Sequence, residues 1–205
     1  MAHKKVVLYL VLATSFLALC CSSEEAQKNQ GAEVREPDVH FVPTPDEVVE
    51  VMLRLADVQE DDLVYDLGCG DGRIVVAAAQ KAGSRAIGFD IDPEMVDKSV
   101  RTVQKAGVED LVTIKEKDIF ELDLSEASVI TLYLLPHLNV KLLPQIKQMK
   151  PGSRIVSHAF DMKGFEPDVI ATVFREDGGT SKVYLWTTPL RKVSEEDKGY
   201  SFESY

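Results

Sequence analysis

The run Asp66-Leu67-Gly68-Cys69-Gly70-Asp71-Gly72 joins two apolar stretches, Leu63-Val64-Tyr65 before it and Ile74-Val75-Val76-Ala77-Ala78-Ala79 after it. A strand therefore turns into a helix across a glycine-rich loop. Glycine suits that corner because backbone without a side chain takes positive φ and lets a ligand approach the first helical turn, whose unpaired N–H groups point outward. Such a corner is where α/β proteins hold nucleotide-like cofactors.

Two details narrow the ligand. A dinucleotide loop reads G-x-G-x-x-G, with a pyrophosphate on the helix end, but here the third glycine position is Arg73 and the pattern is G-x-G-x-G. Asp66 immediately precedes the loop, where it repels a phosphate yet suits the ammonium of an amino-acid-like ligand, held directly or through water. Further on, Arg85-Ala86-Ile87-Gly88-Phe89-Asp90 reads as the next strand. It ends in an acid about twenty residues past the loop, the place from which a carboxylate grips a ribose diol. Asp90 is the ribose candidate.

Strand-like runs at 63–66, 85–90, 112–115, 129–133 and 154–159 alternate with helical patterns at 73–81, 93–106 and 138–149. That alternation predicts an α/β fold with a parallel sheet. The pattern then turns β-rich, at 169–176 and 182–187, around Asp177-Gly178-Gly179-Thr180, a hairpin signal. An amphipathic helix is predicted upstream at 46–55. Roughly 165 residues follow position 40, enough for one sizeable core and not for two.

With an acid before G-x-G-x-G and a second acid closing the next strand, the chain resembles the class I, or seven-strand, S-adenosylmethionine-dependent methyltransferases over residues 41–190. The resemblance implies a Rossmann-like, doubly wound sheet of seven strands in the order 3-2-1-4-5-7-6, the last antiparallel. It implies S-adenosylmethionine as cofactor, with Asp66, Gly68, Cys69, Gly70 and Gly72 around its methionine end and Asp90 and Ile91 at the ribose. The acid after the third strand, Asp118, with Ile119 beside it, falls to the adenine. A narrower likeness lies in Phe41-Val42-Pro43-Thr44-Pro45, in Asp61-Asp62-Leu63-Val64-Tyr65-Asp66-Leu67-Gly68, in Ser128-Val129-Ile130-Thr131-Leu132-Tyr133-Leu134-Leu135-Pro136, and in Met149-Lys150-Pro151-Gly152-Ser153-Arg154-Ile155-Val156-Ser157. These stretches are similar to the seven-strand protein-lysine methyltransferases, the nucleosomal histone H3 class and the ATP synthase c-subunit enzyme. That likeness implies a lysine-containing protein as acceptor and Thr44 with its neighbours as a cover over the methionine end. The histone class closes its fourth strand with an asparagine pair where this chain has Tyr133 and Leu134. Tyr133 is therefore the catalytic candidate, no obligatory base is identifiable, and the acceptor is left open.

Each candidate has a plainer competitor. Asp90 competes with a helix N-cap role, which Asp92, followed by Pro93 at the first helical position, fills better. Asp118 also suits the cap of a turn. Thr44 suits the N-cap of the helix from Pro45 in its Thr-Pro-Asp-Glu context, a job compatible with a cover contact. Tyr133 suits packing at a sheet edge, and His137, beside Pro136, reads as a surface histidine. Cys69 reads as an inert thiol whose backbone matters, although a helix N-terminus lowers a thiol's pKa.

His3-Lys4-Lys5 precede an apolar stretch at 6–20, short for a membrane span but suited to the core of a secretory signal. Residues 1–21 are expected to form a signal peptide or membrane anchor, making the protein exported or membrane-associated with a tether through its N-terminus. Leu17-Ala18-Leu19-Cys20-Cys21 also resembles a lipoprotein box, with Leu or Cys where a small residue belongs. Residues 22–40 read as a disordered linker, 41–190 as the methyltransferase domain, and 191–205, with Glu195-Glu196-Asp197, as an acidic tail. A methyl donor made in the cytosol conflicts with export, which keeps mitochondrial routing or an anchor facing the cytosol open. The net charge of −11, from 34 acids against 23 bases, argues against general affinity for nucleic acid and suits lysine-rich partners. Cys20 and Cys21 lie in the leader, which leaves Cys69 without an intramolecular disulfide partner, and no metal-ligand spacing stands out. Two other function classes stay open: a membrane-tethered binding module that kept the fold without turnover, and a nicotinamide-dependent oxidoreductase, which Arg73 disfavours.

Overall fold

The structure, a computed structural model, describes residues 41–194. The leader at 1–21, the linker at 22–40 and the acidic cluster at 195–197 lie outside the described residues. In chain order the elements are α1 (Asp46–Leu55), β1 (Leu63–Leu67), α2 (Arg73–Ala82), β2 (Arg85–Asp90), α3 (Pro93–Ala106) and β3 (Val112–Glu116). A 3-10 turn (Ile119–Glu121) then leads to β4 (Val129–Leu132), α4 (Pro136–Lys141), α5 (Leu143–Ile146), β5 (Arg154–His158), β6 (Val169–Phe174) and β7 (Thr180–Thr187). The sheet order is β3-β2-β1-β4-β5-β7-β6. Strands β1 to β5 run parallel, and β7 lies antiparallel between β5 and β6. This is the order and the antiparallel strand that the resemblance implied.

A parallel sheet is covered on both faces, so its central strands are apolar at successive positions rather than at alternate ones. Val64, Val129 and Val156 enter one core, shared with Val48 and Met52 of α1 and with Val75 and Ala78 of α2. Their neighbours Tyr65, Ile130 and Ile155 enter the other, against Leu142, Ile146 and the buried Trp186 of β7. Burial of each such side chain contributes on the order of 2 kcal/mol, which locks the strand register because a slip by one residue would exchange the two cores.

Several predicted boundaries move. The helix expected at 138–149 is two short ones, α4 and α5. Pro144 has no N–H to donate to the turn before it, so the chain restarts a helix with Pro144 in its first turn. Strand β4 stops at Leu132, which puts Tyr133 beyond the strand rather than at a sheet edge. Strand β5 stops at His158 because Ala159 takes φ +64°. Hydrogen bonding also continues past the predicted domain end at 190. The Glu166 amide donates to the Arg191 carbonyl at 3.0 Å, and the Val193 amide donates to the Gly164 carbonyl at 3.2 Å.

The amino ends of the central strands are tied by one polar cluster. Arg154, at the start of β5, pairs with the buried Asp62 and donates to the carbonyls of Ala56 and Asp57 at 2.8 and 3.0 Å. The Ser128 hydroxyl donates to Asp62 at 2.7 Å and accepts the Leu63 amide at 2.9 Å. Burial raises the Asp62 pKa, but the Gln59 amide, Ser128 and Arg154 together outweigh it and hold the carboxyl below its usual range. The stabilisation is thus present at neutral pH and lost as pH falls through the acid range. Asp62→Ala strands Arg154 and is expected to cost about 3 kcal/mol in a urea titration at pH 7, a difference that shrinks toward pH 2. An unchanged midpoint at pH 7 would refute the role of this cluster.

Candidate active site at the carboxyl ends of the strands

Parallel strands deliver their following loops to one end of the sheet. The chain runs to β2 on one side of β1 and later to β4 on the other, which opens a crevice at β1. The crevice, closed on one side by the chain before α1, is a cleft of about 960 Å³ with the open solvent at its mouth included. Thr44, Asp66, Gly68, Cys69, Asp90, Ile91, Asp118, Ile119 and Tyr133 all line it, brought together from distant parts of the sequence. Leu134, beside Tyr133 in the stretch after β4, adds an apolar wall together with Met95, Phe120 and Leu138, which no motif signals.

Gly70 and Gly72 are the two predicted residues that do not line the cleft. They shape the loop. Gly70 has φ +54°, and a Cβ there would lie 2.2 Å from the Phe41 ring. At Gly72, φ +79°, a Cβ would lie 2.9 Å from Ser99 Cβ and push α3 away. The Gly68 and Cys69 amides both donate to the Phe89 carbonyl, at 2.8 and 2.9 Å, which pins the loop to β2.

Asp66, within β1, is 2% exposed. Its Oδ1 accepts the Thr131 hydroxyl at 2.6 Å, while its buried Oδ2 has no hydrogen-bond partner. Buried polar atoms are rarely left so. An oxygen of this kind in a cleft wall fits a cationic group arriving from the cleft. Burial is the largest cause that pushes the Asp66 pKa up, to about 7; Thr131 opposes it, and Asp90 and Asp71 add to it.

Asp90 holds the loop from the next strand. Its Oδ2 accepts the Gly70 amide at 2.8 Å and its Oδ1 accepts the Asp92 amide at 3.0 Å. A carboxylate has about four lone-pair sites, so capacity is left for a diol. Asp92 caps α3 as expected, accepting the Glu94 amide at 2.8 Å. Asp118 caps the 3-10 turn, accepting the Phe120 amide at 2.9 Å, and also lines the cleft, so its two readings coexist.

Thr44 does not cap α1. The cap position falls on Pro45, whose carbonyl accepts the amides of Val48 and Val49 at 3.0 Å. With proline there, Thr44 lies one residue too early to reach the first free helical amides. Its hydroxyl instead lies 3.2 Å from His158 Nδ1. Arg73 is bound to Asp71 through Nε and Nη2, and its Nη1 donates to the Thr44 carbonyl at 2.9 Å. Beyond β4 the Tyr133 ring lies 4.0 Å from the His158 ring and 6.0 Å from that of Phe160, centre to centre. His158 is the residue the sequence did not single out; its one cue was its place near the end of a predicted strand. His137 is exposed. Burial, then Asp66 and Asp90, push the Cys69 thiol up, which overrides any lowering by the helix end.

A family model described as the ANTKMT methyltransferase domain matches residues 66–169, and a DNA methylase model matches residues 13–101. The chain is 43% identical over 153 residues to a protein-lysine N-methyltransferase of Saccharolobus islandicus, covering 73% of this chain and 94% of that protein. It is 29% identical over 136 residues to the ATP synthase c-subunit lysine N-methyltransferase of Mus musculus, covering 66% of this chain but only 54% of that longer relative. Among solved structures, an RNA methyltransferase from Salinibacter ruber in complex with S-adenosyl-L-homocysteine matches with a TM-score of 0.68 and 49% identity, covering 75% of this chain and 97% of the other.

The raised pKa of Asp66 has a consequence for the ligand-free protein. Between about pH 4 and 7 the unfolded chain releases this proton and the folded chain keeps it, so stability falls as pH rises through that window and stays lower above it. Asp66→Asn removes the penalty. It is expected to stabilise the ligand-free protein by on the order of 2–4 kcal/mol at pH 8, read as a rise of several degrees in Tm, with no such gain at pH 4. A Tm at pH 8 equal to or below that of the parent would refute it.

Proposed function

Because the chain belongs to the seven-strand S-adenosylmethionine-dependent methyltransferases, we propose that it methylates the side-chain amine of a lysine in a protein. The extent of its likeness to the Saccharolobus protein-lysine N-methyltransferase carries this reading. The charge of the site supports it: Asp66, Asp71, Asp90, Asp92 and Asp118 line the cleft against Arg73 alone of the described cations, an acidic surplus that draws a cationic acceptor.

S-adenosylmethionine supplies a methyl group bound to a sulfonium sulfur. We assign its ammonium to the unpartnered oxygen of Asp66, beside the loop through Gly68 and Cys69. Asp90 and Ile91 take the ribose, and Asp118 and Ile119 take the adenine. Thr44 covers the methionine end. The chain's work is then alignment, since an in-line transfer needs the acceptor nitrogen held against the methyl carbon and water kept out. The acceptor amine must lose its proton first. Desolvation in the apolar part of the cleft favours the neutral amine, so no dedicated base is required. Tyr133, on the β4 side of the cleft, is the candidate that orients the incoming amine.

A second reading has one observation in its favour: the 49% identical structure is named an RNA methyltransferase. The net charge of −11 weighs against it, because phosphate contacts need basic surface. Incubation with radiolabelled S-adenosylmethionine and a cell extract decides between them. Label that protease releases and mass spectrometry places on lysine supports the proposal. Label that ribonuclease releases substitutes RNA for protein, and no transfer at all removes the lysine assignment.

The Asp66 assignment has its own test. Binding an ammonium requires the ionised carboxylate, so below its pKa of about 7 a proton must leave as the donor binds. Affinity for S-adenosylmethionine, measured by isothermal titration, should rise about tenfold between pH 6 and pH 8. In Asp66→Asn it should be weaker and level across that window. A parent affinity that is level or falling from pH 6 to pH 8 would contradict the contact.

A further inference from the structure

Three parts of the chain that share no motif meet at His158. The residue is 2% exposed at the end of β5. Its Nδ1 lies 3.2 Å from the Thr44 hydroxyl and its Nε2 lies 3.0 Å from the Ser181 hydroxyl. A neutral imidazole has one donor and one acceptor nitrogen, so both are occupied. Burial, with Arg175 as the lesser cause, pushes the His158 pKa down to about 4. At neutral pH the ring carries no charge, and it has no free nitrogen with which to take a proton from an acceptor.

The ring's faces and its backbone are used as well. Tyr133 stacks on it at 4.0 Å with a tilt of 36°. Ala159, the next residue, is held at φ +64°, a conformation an alanine adopts only when its surroundings impose it. Three hydrogen bonds impose it here. The Ala159 amide donates to the Lys182 carbonyl, the Phe160 amide donates to the His158 carbonyl, and the Ser157 hydroxyl donates to the Phe160 carbonyl, each at 2.7 Å. That turn ends β5 and brings Phe160 within 6.0 Å of Tyr133, nearly parallel to it.

On its other side His158 holds the chain before α1. Residues 41–44 line the cleft. Thr44 is fixed twice, by Arg73 at its carbonyl and by His158 at its hydroxyl. The first contact ties these residues to the glycine-rich loop. The second ties them to the wall that carries Tyr133.

We propose that His158 is a positioning residue of the methyl-transfer site: through Thr44 it seats residues 41–44 over the donor, and through its ring face it sets Tyr133 on the acceptor side. The proposal rests on the methyltransferase reading above. It separates a hydrogen-bonding role from a packing role, and substitutions can separate them too. Thr44→Val and His158→Phe each delete the shared hydrogen bond while keeping bulk. His158→Asn keeps a polar group near the Nδ1 position and loses the ring. His158→Leu loses both.

The full-length chain and its variants are titrated with S-adenosylmethionine, and label transfer into a fixed cell extract is timed at saturating donor, with Tm recorded for each. Thr44→Val and His158→Phe should each weaken donor binding about five- to tenfold. The double variant should be no weaker than the weaker single, because one contact cannot be lost twice. His158→Asn should recover donor binding but transfer label severalfold more slowly, and His158→Leu should lose both. If His158→Phe proves too unstable, Thr44→Val and His158→Asn alone give the split. Donor binding unchanged in Thr44→Val, or effects that multiply in the double variant, would overturn the positioning role while leaving the methyltransferase reading intact. A parent chain that binds no S-adenosylmethionine would overturn that reading and this one with it.

Discussion

A carboxylate oxygen is buried without a partner in the wall of the cleft, and much of the architecture keeps it there. Asp66 is dry because β1 is an interior strand, flanked by β2 and β4 and covered on both faces. Thr131, its register partner on β4, satisfies one oxygen and leaves the other. An isolated domain would gain stability from a neutral residue at this position. The arrangement is intelligible once a cation completes it, and proteins keep such unfavourable groups where they bind or react.

Around this oxygen the same few interactions serve both folding and site construction. Asp90 bonds the Gly70 amide and stands at the cleft wall. Asp118 caps a turn and lines the same cleft. Gly70 leaves room for the Phe41 ring, and Lys98 of α3 lies 4.7 Å above that ring. Local structure and site are thus held by shared atoms, so a substitution at any of these positions disturbs both.

The readable parts of the chain were those encoded by neighbours in sequence. Strand and helix alternation gave the parallel sheet, Asp92-Pro93 gave the start of α3, and the Asp66 loop with Asp90 gave the crevice. The unreadable parts were contacts between residues far apart. Thr44 and His158 are 114 positions apart, and Arg73 and the Thr44 carbonyl are 29 apart. Nothing in the residues around Thr44 distinguishes a capping hydroxyl from one that reaches across to β5, and its local context favoured the cap. Pro144 is plain in the sequence, but the apolar spacing at 138–149 masks its effect on the helix. The apolar pattern runs one residue past the end of β5 because the left-handed turn falls on an alanine, which carries no marker of that conformation.

The arginine standing where a dinucleotide loop has its third glycine is tied by hydrogen bonds to Asp71 and to the carbonyl of Thr44. It therefore occupies the approach to the helix end with its own positive group and turns that group toward protein partners. A glycine in place of Arg73 would unfasten the segment before α1 and strip Asp71 of the guanidinium that binds it.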